Sequence, residues 1–343
     1  MTKAAELAKM GEVLTNSQIG GRRNIVINGG MQVAQRATSA TNVFASNAYF
    51  TIDRMYMLGS TNGRLTMSQE TDTPNGFANS LKLDCTTADT SIGSTEYGIL
   101  AYHIEGQDLQ QLKKGTSDAE KITVSFYVKG NANATYTCEL KDSENNRQNS
   151  QEFNVTTSWN RVILTFDGDT TGALSNDTSG RLYIYFWLHA GSGYTSATHT
   201  DNVWHTADNQ RVGDNATSIL DSTDRTFFLT GLQMEVGSQA TPFEHRSFGE
   251  ELALCQRYYY KETSVRSLLV YQEGSVYLQD NHYFPMAMRT SPTATLGNTH
   301  ANSGSVSSSL VANISTTSCI VAVDTASTGA RIQYSNLALD AEL

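Results

Sequence analysis

The stretch KITVSFYVK, residues 121–129, alternates without a break. Ile122, Val124, Phe126 and Val128 share one side; Lys121, Thr123, Ser125, Tyr127 and Lys129 share the other. A period of two is the signature of a half-buried strand and cannot be served by a helix. The same pattern recurs from Asn24 onward in NIVI, YFTIDRMYML, NSLKLD, GILAYHIEG, TYTCEL, WNRVILTF and TFFLTGLQMEV. Turn clusters such as TDTPNG, VKGNANA, FDGDTTG and HAGSGYTSA separate these runs. A parallel α/β fold would need long helices between its strands, and the sequence offers none. The pattern therefore predicts an all-β chain, with a β-sandwich or jelly roll over residues 24–247.

The flanks read differently. In residues 1–23 Leu7, Met10 and Leu14 form one narrow apolar stripe at helical spacing. A helix this short is marginal alone, so the segment is expected to be an attachment arm that needs a partner. The run GEELALCQRYYYK, with Glu250 and Glu251 leading, predicts a linker helix over 248–262. Residues 263–343 return to strand patterns in SLLVYQ, SVYLQ, HYFPMAMR, TATL, CIVAV and RIQY, around a polar loop LGNTHANSGSVSSS. They form a small C-terminal β-domain, near the size where one core only just suffices. Both ends want partners, and closed three-fold symmetry, a homotrimer, is the expected solution.

Charge narrows the function. The formal net charge is −10, which argues against nucleic acid and against anionic membrane surfaces. No apolar run approaches the roughly 20 residues of a membrane span, so no membrane insertion is expected. The opening MTKAAELAKMGEVL has no continuous apolar stretch of the secretory kind, which places assembly in a cytoplasm. Cys85, Cys138, Cys255 and Cys319 are widely spaced and include no CxxC pair, so four buried thiols are expected rather than a zinc site. No GxSxG, HExxH or GxxxxGK[ST] motif is present, and the chain is expected not to be an enzyme.

NIVINGGMQVAQR, then DRMYM, then SWNRVILTF, then FFLTGLQMEVGSQATPFEHRSFGEELALCQRYYYK, together resemble a family of bacteriophage tail-fibre and virion-appendage proteins. The central domain of that family is similar to the jelly roll of carbohydrate-binding modules. The opening MTKAAELAKMGEVLTNSQIGGRRN resembles the attachment segment of such proteins in phages of marine bacteria. The resemblance runs from Met1 to about Lys261, and the block 231–261 is its most specific part. It implies a virion protein assembled in the host cytoplasm, docked to other virion proteins by its N-terminus and recognising a bacterial surface polysaccharide. A capsid or tail decoration protein and a glycan depolymerase are the alternatives. The family supplies no motif that marks sugar-contacting residues.

Those residues must be sought in the chain itself. In RLYIYFWLH, residues 181–189, Leu182, Ile184, Phe186 and Leu188 face one way, while Tyr183, Tyr185, Trp187 and His189 face the other. An aromatic second face has three readings: a platform for sugar rings, a surface packed against a second subunit, or a surface covered by the chain's own loop 191–212 with Trp204 over it. Cover by protein is expected first and by glycan second, because an exposed aromatic patch is a liability. The tentative glycan contacts are Tyr194, His199, Asn202, Trp204 and His205, which combine stacking rings with hydrogen-bonding groups in one long loop.

No catalytic residue, metal or cofactor is expected. His189, His199 and His205 with Asp201 and Asp208 lack regular spacing. Asp167 and Asp169 in DGDTTG alternate as calcium ligands do, but an Asp-Gly turn explains them better. Trp159 is expected at or near the core. Gly29 and Gly30 are expected at positive φ in a turn. Arg246 and Glu250 are candidates to tie the helix to the sandwich, or else surface charges.

Overall fold

The computed structural model describes Lys3 and residues 22–270, 277–301, 306–325 and 330–343. The stripe Leu7, Met10 and Leu14 lies outside the described residues. The chain forms two compact units, Met1–Arg246 and Ser247–Leu343.

The first unit contains β1 (Ser39–Val43), β2 (Ala48–Tyr49), β3 (Tyr56–Ser60), β4 (Arg64–Glu70), β5 (Ser80–Thr87) and β6 (Tyr97–Glu105). It continues with β7 (Ile122–Gly130), β8 (Ala134–Asp142), β9 (Arg147–Val155), β10 (Asn160–Phe166), β11 (Gly180–Ala190) and β12 (Thr226–Val236). One sheet has the order β1-β4-β5-β12-β7-β10 and the other β2-β3-β6-β11-β8-β9. The pairings are antiparallel. The chain crosses between sheets at every step except β2 to β3, β4 to β5 and β8 to β9. This is a jelly-roll sandwich, one of the two architectures the alternation predicts and the one the resemblance implies.

Alternation decides the core. Val124, Phe126 and Val128 of β7 meet Leu182, Ile184, Phe186 and Leu188 of β11 in one buried cluster. Phe126 stands edge-on to Phe186 at 5.0 Å and to Phe153 at 5.1 Å, the ring geometry the aromatic quadrupole favours. Each such side chain contributes roughly 1.5–3 kcal/mol by leaving water.

Several readings need correction. NIVI is buried but lies outside the strands; the Ile25 amide bonds the Met234 carbonyl, and Asn24 caps the same segment through its side chain. YFTIDRMYML is broken between β2 and β3, because buried Asp53 accepts from the Gln35 amide and Arg54 takes φ 72°. Gly29 and Gly30 are absent from the positive-φ positions, which fall instead on Asn28 and Met31. Gly29 is needed for another reason: a Cβ there would sit 2.0 Å from the Leu232 carbonyl oxygen. Arg246 is not a surface charge: its side chain is buried. Its guanidinium donates to the carbonyls of Asn24 and Val26 and pairs with Glu244, so it fastens the N-terminal segment of the sandwich.

In the second unit the helix spans Phe248–Gln256, capped by Ser247, whose hydroxyl accepts from the Glu250 amide. It is shorter than 248–262, because the aromatic run at Tyr259 turns into strand β13 (Tyr259–Glu262). Then follow β14 (Arg266–Val270), β15 (Tyr277–Tyr283), β16 (Thr293–Ala301), β17 (Val306–Ala312), β18 (Ser318–Thr325) and β19 (Ala330–Asp340). β19 pairs with β13, β14 and β16; β18 pairs with β15 and β17. Cys319, Val321, Val323, Tyr334, Leu337 and Leu339 form their core. The stretch read as a polar loop supplies most of β16 and β17. No described helix is long and apolar enough to cross a membrane.

Candidate functional site

β11 carries its core residues on one face and Tyr183, Tyr185 and Trp187 on the other. Its neighbours β6 and β8 put further side chains on that outer face in register: His103 opposite Tyr183, Ile99 opposite Trp187, Glu139 opposite Tyr185. The result is a row of rings. Tyr49 lies 4.7 Å from Tyr56, Tyr56 lies 5.3 Å from His103, and His103 lies 4.1 Å from Tyr183. Tyr183 stacks on Tyr185 at 5.7 Å.

At its far end the row enters a cleft of about 330 Å³. Leu58, Ile99 and Trp187 give it an apolar floor; Tyr97, Lys141, Tyr185, Tyr194 and Arg211 add polar atoms. Tyr194 and Arg211 come from the long segment between β11 and β12. The Tyr194 ring is 4.9 Å from Trp187 and 6.0 Å from Tyr97. The Arg211 guanidinium lies over the Trp187 ring at 4.8 Å.

A buried carboxylate holds this cover in place. Glu139 accepts from Arg211 Nε at 3.0 Å and from Arg211 Nη2 at 3.2 Å, and also from the Trp187 indole N–H. Burial works against the Arg211 charge, but Glu139 outweighs it and holds the pKa above its usual value. Burial, then Arg211, depresses the Lys141 ammonium. Burial pushes the phenols of Tyr185 and Tyr194 upward, so both stay protonated and can donate as well as accept hydrogen bonds.

The five loop residues singled out by sequence are divided by the structure. Tyr194 alone lines the cleft. The others are engaged with protein along β9 and near its end. His199 Nε2 is 2.9 Å from Ser150 Oγ. Asn202 accepts from the Asp167 amide at 2.8 Å and from Asn149. His205 and Gln148 exchange both backbone hydrogen bonds at 2.9 Å. The Trp204 indole N–H donates to the Asp167 carbonyl at 2.6 Å, and its ring packs against the sandwich core. Trp204 is therefore not the cover over Tyr185 and Trp187; Tyr194 and Arg211 are. Sequence reading missed Tyr97 and Arg211. Tyr97 was visible in principle, two residues before Ile99 on the same strand face; Arg211 carried no local signal.

The Asp167–Asp169 pair already faces cations. Asp167 pairs with Lys121 at 2.7 Å, and Asp169 with Lys114 at 3.0 Å and Arg147 at 2.7 Å. His189 is turned out of the aromatic face by a bulge between Trp187 and His189.

Trp159 is half-buried on the outside of the first sheet, where its N–H donates to Asp72 at 3.0 Å and Lys129 lies 5.7 Å over its ring. It is not a core residue, because β10 begins just after it and its ring leans on Phe228 rather than between the sheets. Trp159→Ala is expected to cost about 1 kcal/mol, well short of a core deletion. Denaturant midpoints check this; a loss near that of a buried Trp would restore the core assignment.

No protein-family model matches the chain, and no curated protein is similar enough in sequence to count as a relative. Solved structures similar to the sandwich share little sequence with it. One is the enzymatically active domain of tailspike protein 4 of bacteriophage CBA120, 13% identical with a TM-score of 0.32, covering 62% of this chain. The match spans only 21% of that tailspike chain. A carbohydrate-binding module, CBM4, is 12% identical with a TM-score of 0.33, covering 61% of this chain and 97% of that one. A family 11 carbohydrate-binding module from Clostridium thermocellum, solved with a β-1,3-1,4-mixed-linked tetrasaccharide, is 10% identical with a TM-score of 0.30, covering 60% and 99%.

Proposed function

We propose that the protein binds an extended glycan along the outer face of the second sheet, as an adhesion component of a phage tail fibre or related virion appendage. The observation that carries the binding reading is the row of rings from Tyr49 to Tyr185 leading into the covered cleft at Trp187. Flat rings suit the apolar faces of sugars, and the neutral phenols with Lys141 suit their hydroxyls. A row longer than the cleft favours a chain of sugars over a single one. Binding is favoured over cleavage because glycoside hydrolysis uses two carboxyl groups flanking the bond. The side chains lining the cleft include none, and Glu139 beside it is occupied by Arg211 and Trp187. The appendage role is supported by the sequence blocks 24–36 and 231–261. Homotrimer formation and docking through Leu7, Met10 and Leu14 belong to the same proposal, and many weak sites on one particle would act together through avidity.

Tyr97→Ala with Tyr185→Ala tests the site. Both side chains are partly exposed, so folding should survive. Each lost stacking surface is expected to weaken binding by up to about tenfold. Glycan-array signal and adsorption to host cells should fall together, while Trp159→Ala leaves both unchanged. Unchanged binding in the double variant would remove the site from this face.

A further inference from the structure

The aromatic face stops at His189, and what His189 meets instead is a second constellation. The side chain is 1% exposed and lines no part of the cleft. Its Nδ1 lies 2.7 Å from Ser218 Oγ, while its Nε2 is buried with no hydrogen-bond partner. A buried ring nitrogen left unpaired is costly, so its surroundings call for an explanation. Beside it stand two carboxylates from the segment joining β5 to β6. One ligand atom from each of Asp89, Glu96 and His189 lies within 4.8 Å of the other two.

We propose that Asp89, Glu96 and His189 form a binding site for a divalent transition-metal ion of the zinc type. The donor set decides the class. Calcium and magnesium take oxygen ligands, whereas an imidazole nitrogen with two carboxylates suits zinc and its neighbours. The spacing fits as well. Two ligands about 2.1 Å from a tetrahedral ion lie about 3.4 Å apart, inside the 4.8 Å that bounds the separations here.

Each ligand is also oriented from behind, as metal ligands are. Asp89 Oδ2 accepts from the Thr61 hydroxyl at 2.7 Å and the Asn62 amide at 3.0 Å. Glu96 Oε2 accepts from the Gly93 amide at 2.5 Å. Ser218 bonds Nδ1 of the imidazole, which leaves the unpaired Nε2 for the ion. Asp89 is 7% exposed and Glu96 is half-buried, so the site opens through Glu96.

The position gives the ion a task. Glu96 precedes Tyr97 of the cleft, and its carbonyl accepts from the Gly191 amide at 2.8 Å, where the cover begins. The ion would join the β5–β6 segment to the end of β11 and brace the corner from which Tyr194 reaches over Trp187. The proposal is independent of what occupies the cleft.

The test is zinc titration of the chelator-treated full chain, with stoichiometry from equilibrium dialysis and thermal melting in parallel. One zinc per chain and a raised melting temperature are expected. Glu96→Gln, at the open side, should fold normally and weaken zinc binding by about tenfold or more. His189→Gln should abolish it, and His199→Gln, in the loop, should leave it intact. The proposal fails if zinc does not bind, if Glu96→Gln binds it as the wild type does, or if calcium binds these residues and zinc does not.

Discussion

Lys114→Met is expected to cost about 3–5 kcal/mol of folding stability, among the largest effects of any single change in the sandwich. The Lys114 ammonium is enclosed, 2.5 Å from Asp142 and 3.0 Å from Asp169, with the Thr171 and Gly172 carbonyls at 2.9 Å. Its removal leaves two buried carboxylates, of which only Asp169 keeps a cation, Arg147. Methionine preserves the length of the side chain, so the loss isolates the charge.

The pH dependence separates this from a packing defect. Burial alone would raise the Asp169 pKa, but hydrogen bonds from Arg147 and Lys114 outweigh it and hold the carboxyl below its ordinary 3.8. A depressed carboxyl contributes stability above 3.8 that is lost as pH falls through the folded value. Without Lys114 part of that contribution is already gone. The gap between wild type and variant should therefore narrow as the pH drops from about 7 towards 3. Urea midpoints across that range check it; a gap that stays constant would assign the loss to packing.

Glu139→Met is expected to destabilise by a similar about 3–5 kcal/mol, with a second consequence that Lys114→Met lacks. Arg211 and the Trp187 indole lose their shared acceptor together. The cover over the cleft should loosen, so ligand binding falls more than stability alone explains. Glu139→Met combined with Arg211→Met removes both charges and should recover most of the stability without recovering binding. A double variant as unstable as the single one would show that the pair is not the source of the loss.

The two halves of β11 show how far the sequence was legible. Strict alternation assigned Leu182, Ile184, Phe186 and Leu188 to the core and exposed the aromatic row opposite, because period two leaves no other choice. The same rule misplaced His189, since a bulge adds a residue without any mark in composition. β9 went unread altogether. RQNSQEFNV looks like a loop because Gln148, Asn149 and Ser150 are polar, yet they are buried, and their partners lie more than 45 residues later in His205, Asn202 and His199. Such long-range satisfaction of polar groups has no local signature. Arg211 escaped for the same reason: only the fold reveals that it answers Glu139.

The pairing of residues 199–205 with β9 bears on how copies of this chain can meet. β9 is the last strand of its sheet, and a bare last strand offers a ladder of unpaired amides and carbonyls to any passing chain. Here the loop takes up that ladder at Gln148 and Ser150, and the Asp201 carboxylate takes the Glu152 amide. Sheet-to-sheet extension is thus closed on this side. Crowded copies can touch through loops, faces or termini, but the stretch of β9 from Gln148 to Glu152 is not a bare edge for them to extend.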